Sequence, residues 1–268
     1  MNRHFRCKLK WDWLIICGKG INMRKHIGLV VLLAAIGCNN MIQAEKPAEK
    51  VEAVAAKSDE SGFTSIFNGK DLTGWTYGEK GNAGKAGEGY QVDKESGTVY
   101  CTPKDGGNLY TEKEYGNFAL RFEFKLTANA NNGIGIRAPL TGDSAYVGME
   151  IQVLDDSGSM YKTLKPQQYH GSIYGVVACE KGHQKAVGEW NEEEIVADGR
   201  HIKVTLNGHV IVDANLDDVK DEKTLKAHPG LANLKGHIGF LGHGHKVEFR
   251  NLRVKELESK PAKSNDEK

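Results

Sequence analysis

Proline is scarce in this 268-residue chain, with six residues, and the five cysteines are scattered rather than spaced as a framework. A collagen-like chain needs far more proline on a strict glycine period, so that class is excluded. No apolar run approaches the roughly 20 residues that a membrane-crossing helix requires, which excludes a multispan membrane protein. Neither sign of charge dominates: 36 Lys and Arg stand against 35 Asp and Glu, a net of +1. A nucleic-acid binder normally shows a clustered basic excess. Nothing resembles a phosphate loop, a nucleotide fingerprint or a Ser/His/Asp signature. A sustained helical period with caps is also missing, apart from a short turn near Leu216 to Leu225.

What is present is glycine, 32 residues of it, together with 39% hydrophobic residues. That is ample material for a core, cut by many turns. The longest apolar run, Ile27 to Gly37, follows Arg24-Lys25 shortly after an internal Met23. A charged start, an apolar stretch of this length and small residues behind it make an export signal. Two cleavage readings stay open. Ala35-Ile36-Gly37-Cys38 resembles a lipobox with Cys38 as the lipidated residue, the favoured reading, whereas Ile42-Gln43-Ala44 suits an ordinary signal peptidase. The protein is therefore expected in the cell envelope or periplasm, anchored to a membrane through Cys38 or else free after cleavage.

Residues 1–44 read as an upstream extension plus this signal, 45–61 as a polar spacer, 62–257 as one folded domain and 258–268 as a polar tail. Cys101 and Cys179 are the cysteines within the domain. An oxidising compartment permits a bond between them, and two separate thiols are the favoured alternative.

Within the domain the apolar period is two. Leu120, Phe122, Phe124 and Leu126 alternate with Arg121, Glu123 and Lys125, as on a strand with one buried face. Met149, Ile151 and Val153 do the same, as do Ile202, Val204 and Leu206 before the hairpin signal Asn207-Gly208. Further strands are expected at 97–101, 133–137, 209–212, 236–241 and 247–254. Many short strands with turns between them imply an all-β fold, a two-sheet antiparallel sandwich or jelly roll. Polar residues opposite the core period of central strands would then floor a groove, which collects Glu123, Arg137, Glu150 and Gln152. Outward charges on a strand are more often simply solvated.

Several motifs occur in order along the domain. Phe67-Asn68-Gly69-Lys70-Asp71-Leu72-Thr73-Gly74-Trp75 opens it, followed by Tyr115-Gly116-Asn117-Phe118, Gly133-Ile134-Gly135-Ile136-Arg137 and Gly148 through Asp156. Gly171-Ser172-Ile173-Tyr174-Gly175, Trp190-Asn191 and His243-Gly244 through Asn251 complete the series. In this the chain resembles the 3-keto-disaccharide hydrolase domain family. The resemblance implies a concanavalin A-like jelly roll acting on glycosides whose sugar carries a ketone at carbon 3. Such a ketone acidifies the proton on carbon 2, so one base, one oxyanion stabiliser and an acid for the leaving group suffice for elimination. A sugar 3-dehydrogenase would be the partner that makes the ketone. Two alternatives are a noncatalytic carbohydrate-binding module and a laminarinase-type glycoside hydrolase, whose Glu-x-Asp-x-x-Glu motif is approximated by Glu150-Ile151-Gln152-Val153-Leu154-Asp155.

Glu150 is the expected acid or base, with Gln152 beside it as a sugar hydroxyl partner. Arg137 is expected to stabilise the enediolate and His170 to transfer protons near neutral pH. Glu123 joins the substrate-binding set, and Tyr174 and Trp190 are candidates to stack on a sugar face. The cofactor stays open: a divalent metal would draw on Asp155, Glu150 and His243, within reach of a run that also holds His237 and His245.

Overall fold

The structure is a computed structural model, and it describes residues 59–78, 89–103 and 106–258. Cys38, the signal, most of the spacer and most of the tail lie outside the described residues. The described residues all belong to one compact unit. Among the described residues no helix is long and apolar enough to cross a membrane.

Among the described residues thirteen strands build the domain. They are β1 (Thr64–Ser65), β2 (Trp75–Gly78), β3 (Tyr90–Asp93), β4 (Thr98–Cys101), β5 (Gly107–Tyr115), β6 (Phe118–Leu126) and β7 (Asn131–Ala138). After helix α1 (Ser144–Val147) come β8 (Met149–Leu154), β9 (Trp190–Asp198), β10 (His201–Leu206) and β11 (His209–Asn215). Helix α2 (Glu222–Ala227) precedes β12 (Gly236–Gly242) and β13 (Val247–Glu256). An eight-stranded sheet runs β11-β10-β9-β6-β13-β4-β3, with β1 also pairing β13, and a five-stranded sheet runs β2-β5-β12-β7-β8. Every strand pair is antiparallel. The expected two-sheet jelly roll is therefore what the chain forms.

The two inner faces meet through the residues that the period of two selects. Phe122, Phe124 and Phe249 of the larger sheet and Ile134, Ile151 and Phe240 of the smaller are all nearly inaccessible to water. Phe240 stacks on Phe249 across the interface at 4.2 Å between ring centroids, and on Trp75 at 5.2 Å. Burial of such side chains contributes roughly 1.5–3 kcal/mol each. The Asn207-Gly208 turn joins β10 to β11 with φ of 50° and 85°, as a two-residue hairpin demands.

The outer face of the smaller sheet is built differently. One row across it reads Thr76, Tyr110, Gly239, Gly135, Glu150. The neighbouring row contains Gly78 beside Asn108 and Leu241, and Gly133 beside Gln152. Glycine here makes room for larger side chains lying flat on the sheet. A Cβ on Gly78 or Gly239 would collide with the Tyr110 ring, and one on Gly133 with the Glu150 carboxylate.

Candidate active site

Glu150 and Gln152 point outward from β8, and the chain returns to support them. Segment 171–174 lies along the free edge of β8: Gln152 N–H donates to Ser172 O at 3.1 Å, Gly171 N–H to Gln152 O at 2.7 Å and Tyr174 N–H to Glu150 O at 2.9 Å. That pairing sets Tyr174 beside Glu150, and Gln168 Nε2 donates to the Tyr174 hydroxyl at 2.9 Å. Glu150, Gln152, Tyr174, Gln168 and His243 line one cleft of about 170 Å³, closed by Asn131, Asp143, Tyr146, Leu154, Tyr161 and Leu164. Glu150 is 5% exposed, and it lines this opening. His243, just past the end of β12 and followed by Gly244 at φ 75°, brings its Nε2 to 3.9 Å from Glu150 Oε1.

Tyr146 and Asp143 were not singled out in the sequence. Asp143 caps α1, accepting the Ala145 N–H at 3.1 Å, so a short helix presents Tyr146 at the rim. Its ring lies tilted against that of His228, 4.9 Å between centroids, and His228 Nδ1 is fixed by Ala145 O at 2.9 Å. An Asp-Ser pair followed by an aromatic was the available signal. On the sheet floor Tyr110 shares a 2.5 Å hydrogen bond with Ser144 and accepts from Asn108 Nδ2 at 3.1 Å. Burial pushes its hydroxyl above the ordinary value of 10 and keeps it neutral.

Five expected site residues lie elsewhere. Arg137 is fully buried with a left-handed φ of 48°, where a bulge in the β12 pairing turns the end of β7. Its guanidinium donates to Gly116 O (3.0 Å), Gly199 O (2.7 Å), Asn233 O (3.4 Å) and Asn117 Oδ1 (3.2 Å). Burial lowers its pKa first of all, and it has no opening toward the cleft. His170 lies inside the sandwich. Its ring sits 4.9 Å from Phe124, its Nδ1 accepts the Leu154 N–H at 3.3 Å and its Nε2 is 3.1 Å from Glu193. The positive φ of Gly171 turns the chain there and carries His170 beneath β8.

Glu123 and Trp190 belong to the outer face of the other sheet. Glu123 is held by Arg250 at 2.6 and 2.8 Å, and Lys125 and Arg250 lie over the Trp190 ring at 4.8 and 4.0 Å. The sequence period identifies an outward side chain but not which sheet carries it. Asp155 is buried below the β8 end, where its carboxylate takes the N–H groups of Asn129 (2.7 Å) and Ser157 (3.0 Å) and the Ser157 hydroxyl. It therefore does not join Glu150 and His243 in a metal set. His237 is turned to Thr111 O at 2.7 Å, and no group of three His, Cys, Asp or Glu converges among the described residues. Cys101 and Cys179 are not joined in a disulfide.

Residues 62–255 match the family model of the 3-keto-alpha-glucoside-1,2-lyase-like domain. The chain belongs to this family. The match spans both sheets and every cleft residue named above. The lyase-like domain is also similar to a 3-keto-disaccharide hydrolase of Bacteroides thetaiotaomicron, with 26% identity over 79% of this chain and 84% of the relative. Two solved structures from Parabacteroides distasonis, both described as glycosyl hydrolases, share 27% identity with it. One has a TM-score of 0.62 over 73% of this chain and 99% of its own. The other has 0.60 over 74% and 94%.

Proposed function

We propose that this protein is an exported enzyme that cleaves the glycosidic bond of 3-keto glycosides or disaccharides by proton abstraction at carbon 2 and elimination. The observation that carries the reading is the Glu150–His243 pair, 3.9 Å apart, at a cleft whose wall also carries amide, hydroxyl, aromatic and leucine side chains and the Asp143 carboxylate at the α1 cap. Glu150 takes the proton from carbon 2, and the electron pair moves through the carbon 2–carbon 3 bond onto the ketone oxygen. As the ketone re-forms, the carbon 1–oxygen bond breaks and a carbon 1–carbon 2 double bond takes its place. His243 passes the proton from Glu150 to the departing oxygen. Water then adds to carbon 1, a proton returns to carbon 2, and the sum is hydrolysis. Donors on Gln152, Asn131 and Tyr174 serve the enediolate oxygen in the role that sequence reasoning gave to Arg137.

The laminarinase-type alternative loses support because Asp155, the acid at the end of the matching motif, faces away from the cleft. Retention needs two carboxyl groups about 5–5.5 Å apart across the scissile bond. A noncatalytic binding module would have no use for a buried carboxylate beside an imidazole. Export rests on Arg24-Lys25 before the Ile27–Gly37 run and on Cys38. A sugar 3-dehydrogenase is the reaction class that would supply the substrate.

The test is incubation of purified protein with a 3-keto disaccharide, with and without a chelator, followed by product analysis. Wild type is expected to release the monosaccharides, and Glu150→Gln to lower kcat by roughly 10³-fold while retaining binding. Unchanged turnover in that variant removes Glu150 from the mechanism. Binding without release from 3-keto or ordinary disaccharides would establish the binding-module alternative.

A further inference from the structure

The two ends of the cleft differ in chemistry. Along β8 the outward residues are Glu150, Gln152 and Leu154, successive positions lying roughly 6.5–7 Å apart. Glu150 faces His243 and neighbours Tyr174, whereas the Leu154 end is closed by Tyr161 and Leu164. Tyr161 ends a 3-10 turn that begins at Ser159, and Leu164 follows just after it, its N–H donating to Tyr161 O at 3.5 Å. The Tyr161 hydroxyl donates to Asn129 O at 3.0 Å, so the ring and not the hydroxyl is left for the cleft. Gly158 admits that ring, since a Cβ there would stand 2.9 Å from Tyr161 Cδ2. Met160, which precedes Tyr161 on the turn, is an apolar side chain 66% exposed. Asn131, paired with Leu154 across β7 and β8, is the polar group at this end.

We propose that this end is an aglycone subsite for a flat apolar group, so that aryl 3-keto glycosides are substrates of this protein. The inference rests on the reading of the cleft as the site of 3-keto glycoside cleavage. With carbon 2 of the sugar at Glu150, the substituent on carbon 1 starts one bond away and extends over Gln152 toward the Leu154 end. A second sugar would bring several hydroxyls into that apolar end and pair few of them. A phenyl ring would bring none and would meet Tyr161 and Leu164 directly.

The experiment compares kcat/KM for a phenyl 3-keto-glucoside with that for a 3-keto disaccharide of the same anomeric configuration, in wild type, Leu164→Asp and Met160→Asp. Wild type should favour the phenyl substrate, and Leu164→Asp should lower the phenyl-to-disaccharide ratio by roughly tenfold. Met160→Asp, on a side chain already in water, should lower it less. Equal losses on both substrates in Leu164→Asp, or a wild-type preference for the disaccharide, would overturn the subsite. If neither substrate is cleaved, the proposed reaction fails, and calorimetry with unoxidised phenyl glucoside and unoxidised disaccharide decides the subsite separately. Tighter phenyl glucoside binding that Leu164→Asp weakens supports it, and equal affinities overturn it.

Discussion

At the scale of single residues, the decisive feature is how glycine and carboxylate share space on the smaller sheet. Gly133 lies directly beneath the Glu150 carboxylate, where a Cβ would overlap Oε1. The change Gly133→Ala is therefore expected to lower kcat by tenfold or more while the protein stays folded, because a 1 Å displacement of a reacting group costs roughly 10²-fold. Near-wild-type kcat, with circular dichroism unchanged, would show that the carboxylate position is not critical. A second residue-scale expectation concerns the opening motif. Asp71 is held down to about 2, first by the Asn68 side-chain hydrogen bond and then by Thr73. Its Oδ1 accepts from Asn68 Nδ2 at 2.7 Å and from the Thr73 N–H at 3.0 Å. The folded value lies below the ordinary 3.8, so the ionised carboxylate favours the folded turn. That contribution is complete above about pH 4 and disappears as pH falls through about 2. Carbon-detected NMR titration of Asp71 should give a midpoint near 2 in wild type and a higher one in Asn68→Ala. A wild-type midpoint near 3.8 would contradict the arrangement.

At the scale of elements, Arg137 shows what alternation alone misreads. Ile134 and Ile136 point into the core, and the period of two sends residue 137 outward with Gly133 and Gly135. The bulge opposite His237 to Gly239 and the left-handed Arg137 backbone break that period at its last step. The guanidinium then ties the β5–β6 turn, the β9–β10 turn and the segment before β12 to the end of β7. Replacement by Met leaves three carbonyl oxygens without this donor, so Arg137→Met should cost about 3 kcal/mol or more. Melting temperature should fall sharply while kcat at 25 °C stays within about twofold, and a large kcat loss without destabilisation would return Arg137 to the site. Strands with clean alternation, β6, β8 and β10, were legible from sequence. Strands β2, β3 and β5 were not, because buried and exposed residues do not alternate along β5, and β2 and β3 are four residues each. Segment 171–174 was legible as a motif, but not as the cover for the β8 edge that places Tyr174.

At the scale of the whole molecule, fold class and cleft strand followed from periodicity, whereas the assignment of residues to sheets did not. Glu123 and Glu150 both lie opposite a core period, yet one is on the outer face of the eight-stranded sheet and the other on that of the five-stranded sheet. Pairing order is a property of the assembled topology, and local pattern does not carry it. The proposed leader imposes a different constraint. Of 36 basic and 35 acidic residues, seven basic and one acidic precede Cys38, so a chain beginning there carries 29 and 34 and a net charge of −5. Cleavage before Glu45 gives the same charge, since residues 38–44 have none. Charge therefore cannot distinguish the lipidated from the soluble product, but partitioning does. An acylated Cys38 adds apolar chains worth roughly 0.8 kcal/mol per buried CH₂, enough to carry a water-soluble β domain into a detergent phase. Expressed in full in a bacterial host, the protein should move into the detergent phase of a phase-separating detergent extract, and Cys38→Ala should return it to the aqueous phase. Aqueous wild type with a mature N-terminus at Glu45 would select cleavage after Ala44 and discard the anchor.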